Sequence, residues 1–487
     1  MQINKILLLV PPALTFKSPR DINPLPPMGL GYLASIIVTM GIEVDILDCL
    51  MEGWDHEEKY NETLIRVGLS DAEIINKIQQ YNPDIVGVNC QFSRQHRIYH
   101  HMFSLIKQAK PSCITVAGGA HATACPEDIA NDSCCDYALL GEAEDSFREF
   151  LMKLIKNEDL SNLDGFVWKP NGRVRINEKR KWITDLDAIP FPAYSIMKLE
   201  KYFGHKLSHG IRHKSRFSPI ITSRGCPAKC TFCSAHKVWG VKYRQRSVEN
   251  VLAEMRMLKN QYKVEELMFE DDNVTANPKR ARDLFLRMID EKLDFVWDTP
   301  NGVGVWSINE EILDLMKISG CQKLNFPVES GSQGVLNNVI KKPLKLEKVK
   351  ELIQYCRKID LDYGMFLVIG MPGEKISDIW DSFCFAASCG CYSPHISVAT
   401  PYPSTELYDV CKEGGYFSRE YNLDDLFIRS FPIKTADWDE RDLKRILARG
   451  MIYLEIKKFV DNPFLAIRSM ITRLKHPLRA IKYLKNM

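Results

Sequence analysis

Three cysteines with the spacing of metal ligands stand near the middle of the chain. Cys226, Cys230 and Cys233 lie in the stretch CPAKCTFC. Thiolates at this spacing can hold a zinc ion or an iron–sulfur cluster. A structural zinc site needs four ligands, and the nearest candidate for the fourth is His236. A four-iron cluster held by three thiolates would leave one iron open for chemistry. We favour the cluster over zinc and over incidental thiols, because the cysteines follow a predicted strand at the rim of a predicted barrel.

The composition is that of an ordinary globular protein. The 487 residues are 45% hydrophobic and 26% charged, with a net charge of +3, and this length has room for two or three domains. So small a net charge makes nucleic acid an unexpected partner. The start of the chain has no secretory signal pattern, and no apolar run approaches the ~18 to 20 residues of a membrane span, which predicts a cytoplasmic protein. Most of the 15 cysteines are therefore expected to be reduced core thiols.

The first 160 residues predict a doubly wound parallel sheet. Short apolar runs alternate with helix-like patterns, as buried parallel strands and their crossovers require. The runs are KILLLV, EVDILD, DIVGVNC, CITVAGG and YALLGEAE. Ligands of such sheets bind past the carboxyl ends of the strands. Two of these ends carry the loops GGAHAT (118–123) and GEAE (141–144). Glycines there let the backbone approach a ligand, although a glycine after a strand is often only a turn.

A second pattern of six strands with helices between them begins near residue 216. Each strand ends in polar or glycine-rich residues, which is the arrangement of a partial barrel with its active site at one rim. The strand ends FEDDN (269–273) and VESGS (328–332) place acidic residues at that rim, where they are either binding groups or merely solvated. The sequence thus predicts four segments: a sheet domain at 1–160, a linker at 161–215, a barrel at 216–410 and a basic helical extension at 411–487.

The cysteine stretch resembles the signature of the radical S-adenosylmethionine (radical SAM) superfamily, C-x-x-x-C-x-x-C after the first strand of a partial barrel. FEDDN, VESGS, GMPGE (370–374) and PYPST (401–405) resemble further motifs of that barrel, with Ser404 in place of a frequent glycine. The resemblance implies that the three cysteines hold a 4Fe–4S cluster whose open iron binds S-adenosylmethionine. The further residues that it implies for binding these cofactors are Phe232, Asp271, Asp272, Glu329 and Ser330.

The sheet domain resembles the cobalamin-binding domain that precedes the barrel in cobalamin-dependent radical SAM enzymes. The resemblance rests on NPLPPMGLGYLASII (23–37) and on the GGAHAT and GEAE loops. None of the 11 histidines lies in the D-x-H-x-x-G pattern of histidine-ligated cobalamin modules, which implies a cobalt without a histidine ligand. His121 is then a loop residue near the corrin, or else a solvated or capping histidine. The residues implied for corrin binding are Gly118, Gly119, His121, Gly141 and Glu142.

Together the two resemblances imply an enzyme. Reductive cleavage of S-adenosylmethionine would give a 5′-deoxyadenosyl radical, and methylcobalamin would deliver a methyl group to an unactivated carbon of a small-molecule or lipid-like substrate. An electron donor such as flavodoxin or ferredoxin is the implied partner. Two alternatives stay open. One uses the same cofactors for cyclisation or rearrangement without methyl transfer, and the other is a zinc-stabilised binding protein.

The tail from about residue 443 predicts two amphipathic helices with basic outer faces. Asn462 before Pro463 predicts where the second helix begins. We favour a helical cap packed on the barrel. The alternative is peripheral contact with an anionic membrane, which would make the protein membrane-associated. The first apolar stripe consists of Leu443, Ile446, Leu447, Met451 and Leu454, and the second of Phe464, Ile467, Ile471, Leu474, Leu478 and Ile481.

Overall fold

The computed structural model describes residues 2–17, 20, 22–205, 213–426 and 431–467. The chain divides into two compact units. The first comprises Met1–Gly225 and Ser234–Asp271, and the second comprises Cys226–Cys233 and Asp272–Met487. The loop with the three cysteines therefore belongs to the second unit, although the segments that flank it belong to the first. The segment boundaries expected at residues 160, 215 and 410 stay a prediction.

The first unit contains fourteen strands and nine helices among its described residues. The strands are β1 (Lys5–Val10), β2 (Ala13–Phe16), β3 (Glu43–Asp48), β4 (Glu57–Lys59), β5 (Leu64–Val67), β6 (Ile85–Asn89), β7 (Ile114–Gly118), β8 (Tyr137–Leu139), β9 (Phe166–Trp168), β10 (Arg175–Ile176), β11 (Phe217–Ile220), β12 (Ser223–Arg224), β13 (Arg244–Gln245) and β14 (Glu266–Phe269). The helices are α1 (Met28–Thr39), α2 (Cys49–Glu52), α3 (Asp71–Tyr81), α4 (His96–Ala109), α5 (Ala120–Ala124), α6 (Pro126–Asn131), α7 (Glu144–Lys156), α8 (Ala235–Trp239) and α9 (Val248–Tyr262).

Seven strands of the first unit form one sheet in the order β10-β9-β8-β7-β6-β1-β3. The five strands from β8 to β3 are parallel, and β9 and β10 are antiparallel additions at one edge. The parallel strands are runs of buried apolar residues, as a sheet covered on both faces requires. The doubly wound fold predicted from the sequence is therefore confirmed. The small antiparallel sheet β2-β5-β4 and the hairpin β12–β13 were not expected.

Local sequence explains where the crossover helices of the sheet begin and end. Ser70 and Glu73 form a capping box at the start of α3, in which the Ser70 side chain accepts a hydrogen bond from the Glu73 N–H group. The same helix ends at Asn82, which adopts the left-handed conformation that terminates a helix.

The apolar face of α4, which includes Met102 and Phe103, is buried in the core of the unit. This packing fixes the position of α4 next to the loops at the carboxyl ends of β6 and β7.

The second unit contains four strands and seven α-helices among its described residues. The strands β15 (Val296–Asp298), β16 (Cys321–Glu329), β17 (Asp362–Ile369) and β18 (His395–Val398) pair in this order and are all parallel. With β11 and β14, which pair in parallel within the first unit, they account for the six predicted barrel strands. The helices are α10 (Pro278–Asp290), α11 (Glu310–Ile318), α12 (Gln333–Val335), α13 (Leu346–Lys358), α14 (Ile376–Ser388), α15 (Glu406–Glu413) and α16 (Glu440–Asp461).

Helix α16 packs on α14 through the first predicted stripe of the tail. Leu443, Ile446 and Leu454 are buried, and Gly450 lies so close to Phe383 that a Cβ atom at this position would meet the ring at 2.2 Å. The face of α16 that carries this stripe thus caps another helix of the same unit. Of the second stripe, Phe464 and Ile467 are exposed, and its members from Ile471 onward lie outside the described residues.

No helix among the described residues combines the length and the apolar character needed to cross a lipid bilayer.

Glu374 organises the loop that follows β17 and belongs to the predicted GMPGE motif. Its Oε2 atom accepts hydrogen bonds from the N–H groups of Gly370, at 2.8 Å, and Met371, at 3.0 Å. Its carbonyl accepts a hydrogen bond from Trp438 Nε1 at 2.8 Å. The Oε1 atom is buried without a hydrogen-bond partner among the described residues. This burial raises the pKa of the carboxyl group from 4.5 to about 8.

The raised pKa of Glu374 predicts how stability depends on pH. Between pH 4.5 and about 8 the folded protein holds a proton that the unfolded chain has released, so this group lowers stability as the pH rises through that window. We expect Glu374→Gln, which cannot ionise, to melt at a higher temperature than the wild type at pH 8 and to lose most of this advantage at pH 5. Melting curves across this range measure the difference. A difference that is the same at both pH values would contradict the assignment.

Candidate active site

The cysteine loop is anchored to two elements of its own unit through Thr231. The Thr231 N–H group donates a hydrogen bond to the carbonyl of Ile340 at 3.0 Å, and its hydroxyl donates to the carbonyl of Val339 at 3.1 Å. Both carbonyls belong to a π-helical turn, Leu336–Ile340. The Thr231 carbonyl in turn accepts from the N–H group of Leu407 in α15 at 2.9 Å. These bonds hold an otherwise irregular loop in one conformation.

The three thiols are partly exposed and electrostatically coupled. Burial raises the pKa of Cys230 to about 12, and the nearby Glu329, Cys233 and Cys226 act in the same direction, whereas Lys342 opposes them. Burial and the charge of Asp272 also raise the pKa of Cys226. The thiols of Cys226 and Cys230 are therefore protonated near neutral pH in the absence of metal. Metal ligation would displace these protons and compensate the charge of the thiolates.

The three thiols do not converge as the ligands of a single metal ion would. Among the described residues, one ring nitrogen each of His96 and His100 and one carboxylate oxygen of Asp128 all lie within 4.8 Å of one another. The sulfur atoms of the three cysteines do not form such a set. Thiolates on one tetrahedral zinc ion would lie about 3.8 Å apart. The arrangement of the thiols is therefore not that of a closed single-zinc site.

A buried ion pair at the end of β16 lies in the electrostatic field of these thiols. Lys342 Nζ donates a hydrogen bond to Glu329 Oε1 at 2.8 Å, and both side chains are nearly inaccessible to solvent. Burial acts to lower the pKa of Lys342, but Glu329, Cys230 and Cys226 hold it above its ordinary value. Glu329 has a φ angle of 70°, a conformation that is unfavourable for a glutamate and that aims its carboxylate at the lysine. The sequence pointed to Glu329 but not to Lys342, which stands 13 residues further along the chain.

Asp271, Ser330 and Phe232, which were also predicted to bind cofactors, each have different neighbours from the Lys342–Glu329 pair. Asp271 belongs to the first unit, where it accepts hydrogen bonds from the N–H and hydroxyl groups of Thr222, at 2.8 and 2.7 Å, and from the Ser223 hydroxyl. Its carboxylate therefore fixes the backbone that follows β11. Ser330 is fully buried, and its hydroxyl accepts from the Ser332 N–H group at 3.2 Å. Phe232 is half-buried in the cysteine loop.

The two glycines after β7 differ in what surrounds them. Gly119 has a φ angle of 101°, and a Cβ atom there would meet the Cys90 carbonyl oxygen at 2.7 Å, so only glycine fits. A Cβ atom on Gly118 would meet nothing nearer than the Leu139 carbonyl oxygen at 3.9 Å. A Cβ atom at Gly118 would therefore make only an ordinary van der Waals contact, so steric crowding does not demand glycine at this position.

His121 in the same loop is fully buried and bonded through both ring nitrogens. Its Nδ1 atom lies 3.1 Å from Ser93 Oγ, and its Nε2 atom lies 3.0 Å from Asp128 Oδ2. The ring also lies beside Tyr99, with 5.5 Å between the centroids. The histidine is thus bonded within the protein rather than solvated, and the expectation of a cobalt without a histidine ligand stays a prediction.

Glu142 in the GEAE loop lies at the centre of a buried ion cluster. It accepts hydrogen bonds from Arg224 at 2.5 Å, from Arg244 at 2.7 Å and from the Ile183 N–H group at 2.8 Å. Arg224 also pairs with Glu144 at 2.6 Å. Although burial alone would raise the pKa of Glu144, Arg224 holds it below its ordinary value. We call these four side chains the Arg224 cluster. It links the loop after β8 to the hairpin β12–β13, and the preceding residue of the loop, Gly141, has a φ angle of 65°.

Comparison with known proteins relates both halves of the chain to established domains. The Radical SAM superfamily matches residues 220–386, and the B12 binding domain matches residues 23–151. Over 478 residues the chain is 34% identical to the cytidylyl-2-hydroxyethylphosphonate methyltransferase of Streptomyces wedmorensis, with 91% of this chain and 89% of that protein covered. It is 32% identical to an uncharacterized methyltransferase of Pyrococcus horikoshii, with 84% and 83% covered.

A solved structure has the same fold. The radical S-adenosylmethionine methyltransferase TsrM from Kitasatospora setae, with cobalamin and a 4Fe–4S cluster bound, superposes with a TM-score of 0.66. The alignment covers 85% of this chain and 78% of that chain at 16% identity. The fold is therefore shared with a protein that holds both cofactors.

Removal of Glu142 should strongly destabilise the first unit. Glu142→Ala would leave Arg244 and part of Arg224 without a counter-charge inside the protein, and breaking a buried ion pair in this way costs about 3 to 5 kcal/mol. The matched control is Glu178→Ala, because Glu178 pairs with Arg180 at the surface, where both side chains are more than three-quarters exposed. The control should change the free energy of unfolding by less than about 1 kcal/mol. Urea unfolding measures both variants, and equal effects would show that the Arg224 cluster is not a structural anchor.

Proposed function

The chain belongs to the cobalamin-dependent radical SAM methyltransferase family, and we propose that it transfers a methyl group to an unactivated carbon of a small-molecule substrate. The observation that carries this proposal is the cysteine loop, in which three partly exposed thiols are spaced for a cluster and coupled to a buried Lys342–Glu329 pair. The match to a methyltransferase over 91% of the chain supports the reaction class. That relative is named for a cytidylyl-linked phosphonate, which favours a small polar substrate over a lipid-like one.

The residues of the cysteine loop fit an iron–sulfur cluster, and those around it fit S-adenosylmethionine. When bound, the cluster and S-adenosylmethionine supply radical chemistry, and cobalamin supplies a carrier for the methyl group. We propose that Cys226, Cys230 and Cys233 ligate the cluster. Lys342 provides a cation in the field of these thiols, where the carboxylate of S-adenosylmethionine would be attracted. Glu329 holds this lysine in place and provides an oxygen acceptor for an ammonium or ribose group.

The remaining predicted residues divide into contacting and positioning groups. Gly118 could carry a Cβ atom without a clash, and we propose that it is a glycine so that a corrin can approach its backbone closely. Gly119, His121, Gly141 and Glu142 shape or anchor the two loops at the sheet edge, because their conformations or side chains are fixed by the protein itself. In the barrel we propose that Asp272 and Ser330 lie beside S-adenosylmethionine and that Phe232 packs next to the cluster. Asp271 fixes the strand end that precedes the cysteine loop.

The reaction also needs an external source of electrons. The three thiols are only partly buried, so a cluster held by them would lie near enough to the surface to accept an electron from a docked protein. We propose a small acidic electron carrier such as flavodoxin or ferredoxin as this partner.

Methyl transfer is tested with isotope-labelled S-adenosylmethionine. The full chain, reconstituted anaerobically with iron, sulfide and methylcobalamin, is incubated with methyl-deuterated S-adenosylmethionine, a reductant and cell extract. We expect a product with a deuterated methyl group on carbon and formation of 5′-deoxyadenosine. Cys230→Ala should lose most bound iron and both products, because its thiol is one of the proposed ligands. Cys134→Ala is the matched control, since this partly buried cysteine lies in the sheet domain and should retain activity.

Two results would contradict the proposal. Formation of 5′-deoxyadenosine together with an unlabelled rearranged product would favour radical chemistry without methyl transfer. Full cleavage of S-adenosylmethionine by the triple alanine variant of Cys226, Cys230 and Cys233 would show that the cluster is held elsewhere.

The tail supports a further proposal of peripheral membrane contact. Four apolar side chains on the outer face of α16 are more than half exposed, namely Ile452, Ile456, Phe459 and Val460. Phe464, shortly after this helix, is 85% exposed. From Lys444 to the end, the sequence has 11 lysines and arginines against Glu455 and Asp461. An apolar stripe accompanied by positive charge is typical of helices that lie on anionic membranes.

Vesicle sedimentation tests this membrane contact. The full chain should bind vesicles that contain phosphatidylserine, and binding should weaken as the salt concentration rises because the basic residues are screened. Ile456→Ser combined with Phe459→Ser should reduce binding, because it removes exposed apolar surface without touching the buried stripe. The matched control is Ile318→Ser, which alters an equally exposed isoleucine on α11. Absence of binding to anionic vesicles at low salt would contradict the membrane proposal while leaving the methyl-transfer proposal untouched.

A further inference from the structure

Two histidines and an aspartate form a compact set of ligand atoms in the first unit, on elements that the proposed function does not use. His96 and His100 are one helical turn apart on α4 and so lie on the same side of the helix. Asp128 lies on α6. One ring nitrogen of each histidine and one oxygen of the carboxylate all lie within 4.8 Å of one another. Ligand atoms this close together can converge on one metal ion.

The hydrogen bonds around this set orient its ligand atoms. His100 Nδ1 lies 2.7 Å from Asp132 Oδ2, so this nitrogen donates a proton to the carboxylate and the ring presents Nε2 on its other side. His100 Nε2 lies 3.1 Å from Asp128 Oδ2. A histidine that binds zinc through one ring nitrogen usually donates a hydrogen bond from the other to a carboxylate, as His100 does to Asp132. A metal ion would replace the proton now shared between His100 and Asp128.

Asp128 is also held from its other side. Oδ2 accepts a hydrogen bond from Nε2 of the buried His121 at 3.0 Å, and His121 is held in turn by Ser93. The carboxylate therefore keeps its position whether or not it binds a metal. All three ligand side chains are only partly buried, which leaves a route for an ion to enter from solvent.

We propose that His96, His100 and Asp128 bind one zinc-type divalent ion. Two neutral imidazoles and a carboxylate suit zinc, which is tetrahedral and accepts nitrogen and oxygen ligands, whereas calcium and magnesium prefer oxygen alone. Water would take the fourth position. The charges of Asp128 and Asp132 together balance the two positive charges of the ion. The bound ion would join α4 to α6 and so brace the end of β7 and the start of α5, where Gly118, Gly119 and His121 lie.

The proposal is tested on the full chain with its cluster and cobalamin in place. After treatment with a mild chelator, zinc is titrated and measured by elemental analysis and zinc X-ray absorption. We expect about one zinc ion per chain with nitrogen and oxygen neighbours and no sulfur, which separates this site from the cysteines. His100→Ala and Asp128→Asn should each weaken zinc binding at least 10-fold. Asp132→Asn, which removes only the outer partner of His100, should weaken it roughly 10- to 100-fold.

The matched control is His101→Gln. His101 is the next residue of α4 but pairs with Asp71 at 2.7 Å, so its loss should leave zinc binding unchanged. Cobalamin uptake and circular dichroism of each variant report whether it is folded. Zinc bound through sulfur, no zinc bound by the wild type, or equal binding by wild type and a folded His100→Ala variant would each overturn the proposal. If a ligand variant does not fold, the X-ray absorption spectrum of the wild type decides alone.

Discussion

The buried Arg224 cluster is the interaction on which the arrangement of the first unit depends. Arg224 stands two residues before Cys226, and Glu142 lies in the loop after β8, the last of the five parallel strands in chain order. Two arginines and two glutamates balance in charge, and each partner would be costly to bury alone. Because the cluster joins the GEAE loop to the hairpin β12–β13, the loops proposed to hold cobalamin are tied to the chain segment that leads into the cysteine loop.

The predicted site residues fall into two groups, those that hold loops in place and those proposed to meet the cofactors. Side chains that the protein satisfies internally, such as Asp271, His121 and Glu142, hold loops in place. The three partly exposed thiols and the buried Lys342–Glu329 pair are the groups proposed to meet the cluster and S-adenosylmethionine. This fits an enzyme in which the cofactors perform the chemistry and the protein positions them. The family relationship favours a cluster over the alternative of a zinc-stabilised binding protein.

Features that are local in sequence could be predicted, and features made by distant residues could not. The strands Lys5–Val10 and Glu43–Asp48 coincide with the apolar runs that predicted them. A buried parallel strand can be recognised because it is a short run of consecutive, mostly apolar residues. The cysteine motif was equally visible. Arg224 and Lys342 were missed, because an arginine 82 residues from Glu142 looks like any surface charge until the fold buries it. For the same reason, the sequence suggested that Glu142 and His121 contact a ligand, whereas each is bonded within the protein.

The metal content of the purified enzyme tests the central claim, that one chain holds both an iron–sulfur cluster and cobalamin. The full chain, purified and reconstituted anaerobically with iron, sulfide and a corrin, is analysed for iron and cobalt by mass spectrometry after removal of unbound metal. The account predicts about four irons and one cobalt per chain, with the absorption of a 4Fe–4S cluster and of a cobalt that lacks a histidine ligand. A chain that binds no cobalt, or that holds zinc in place of iron at its cysteines, would contradict it.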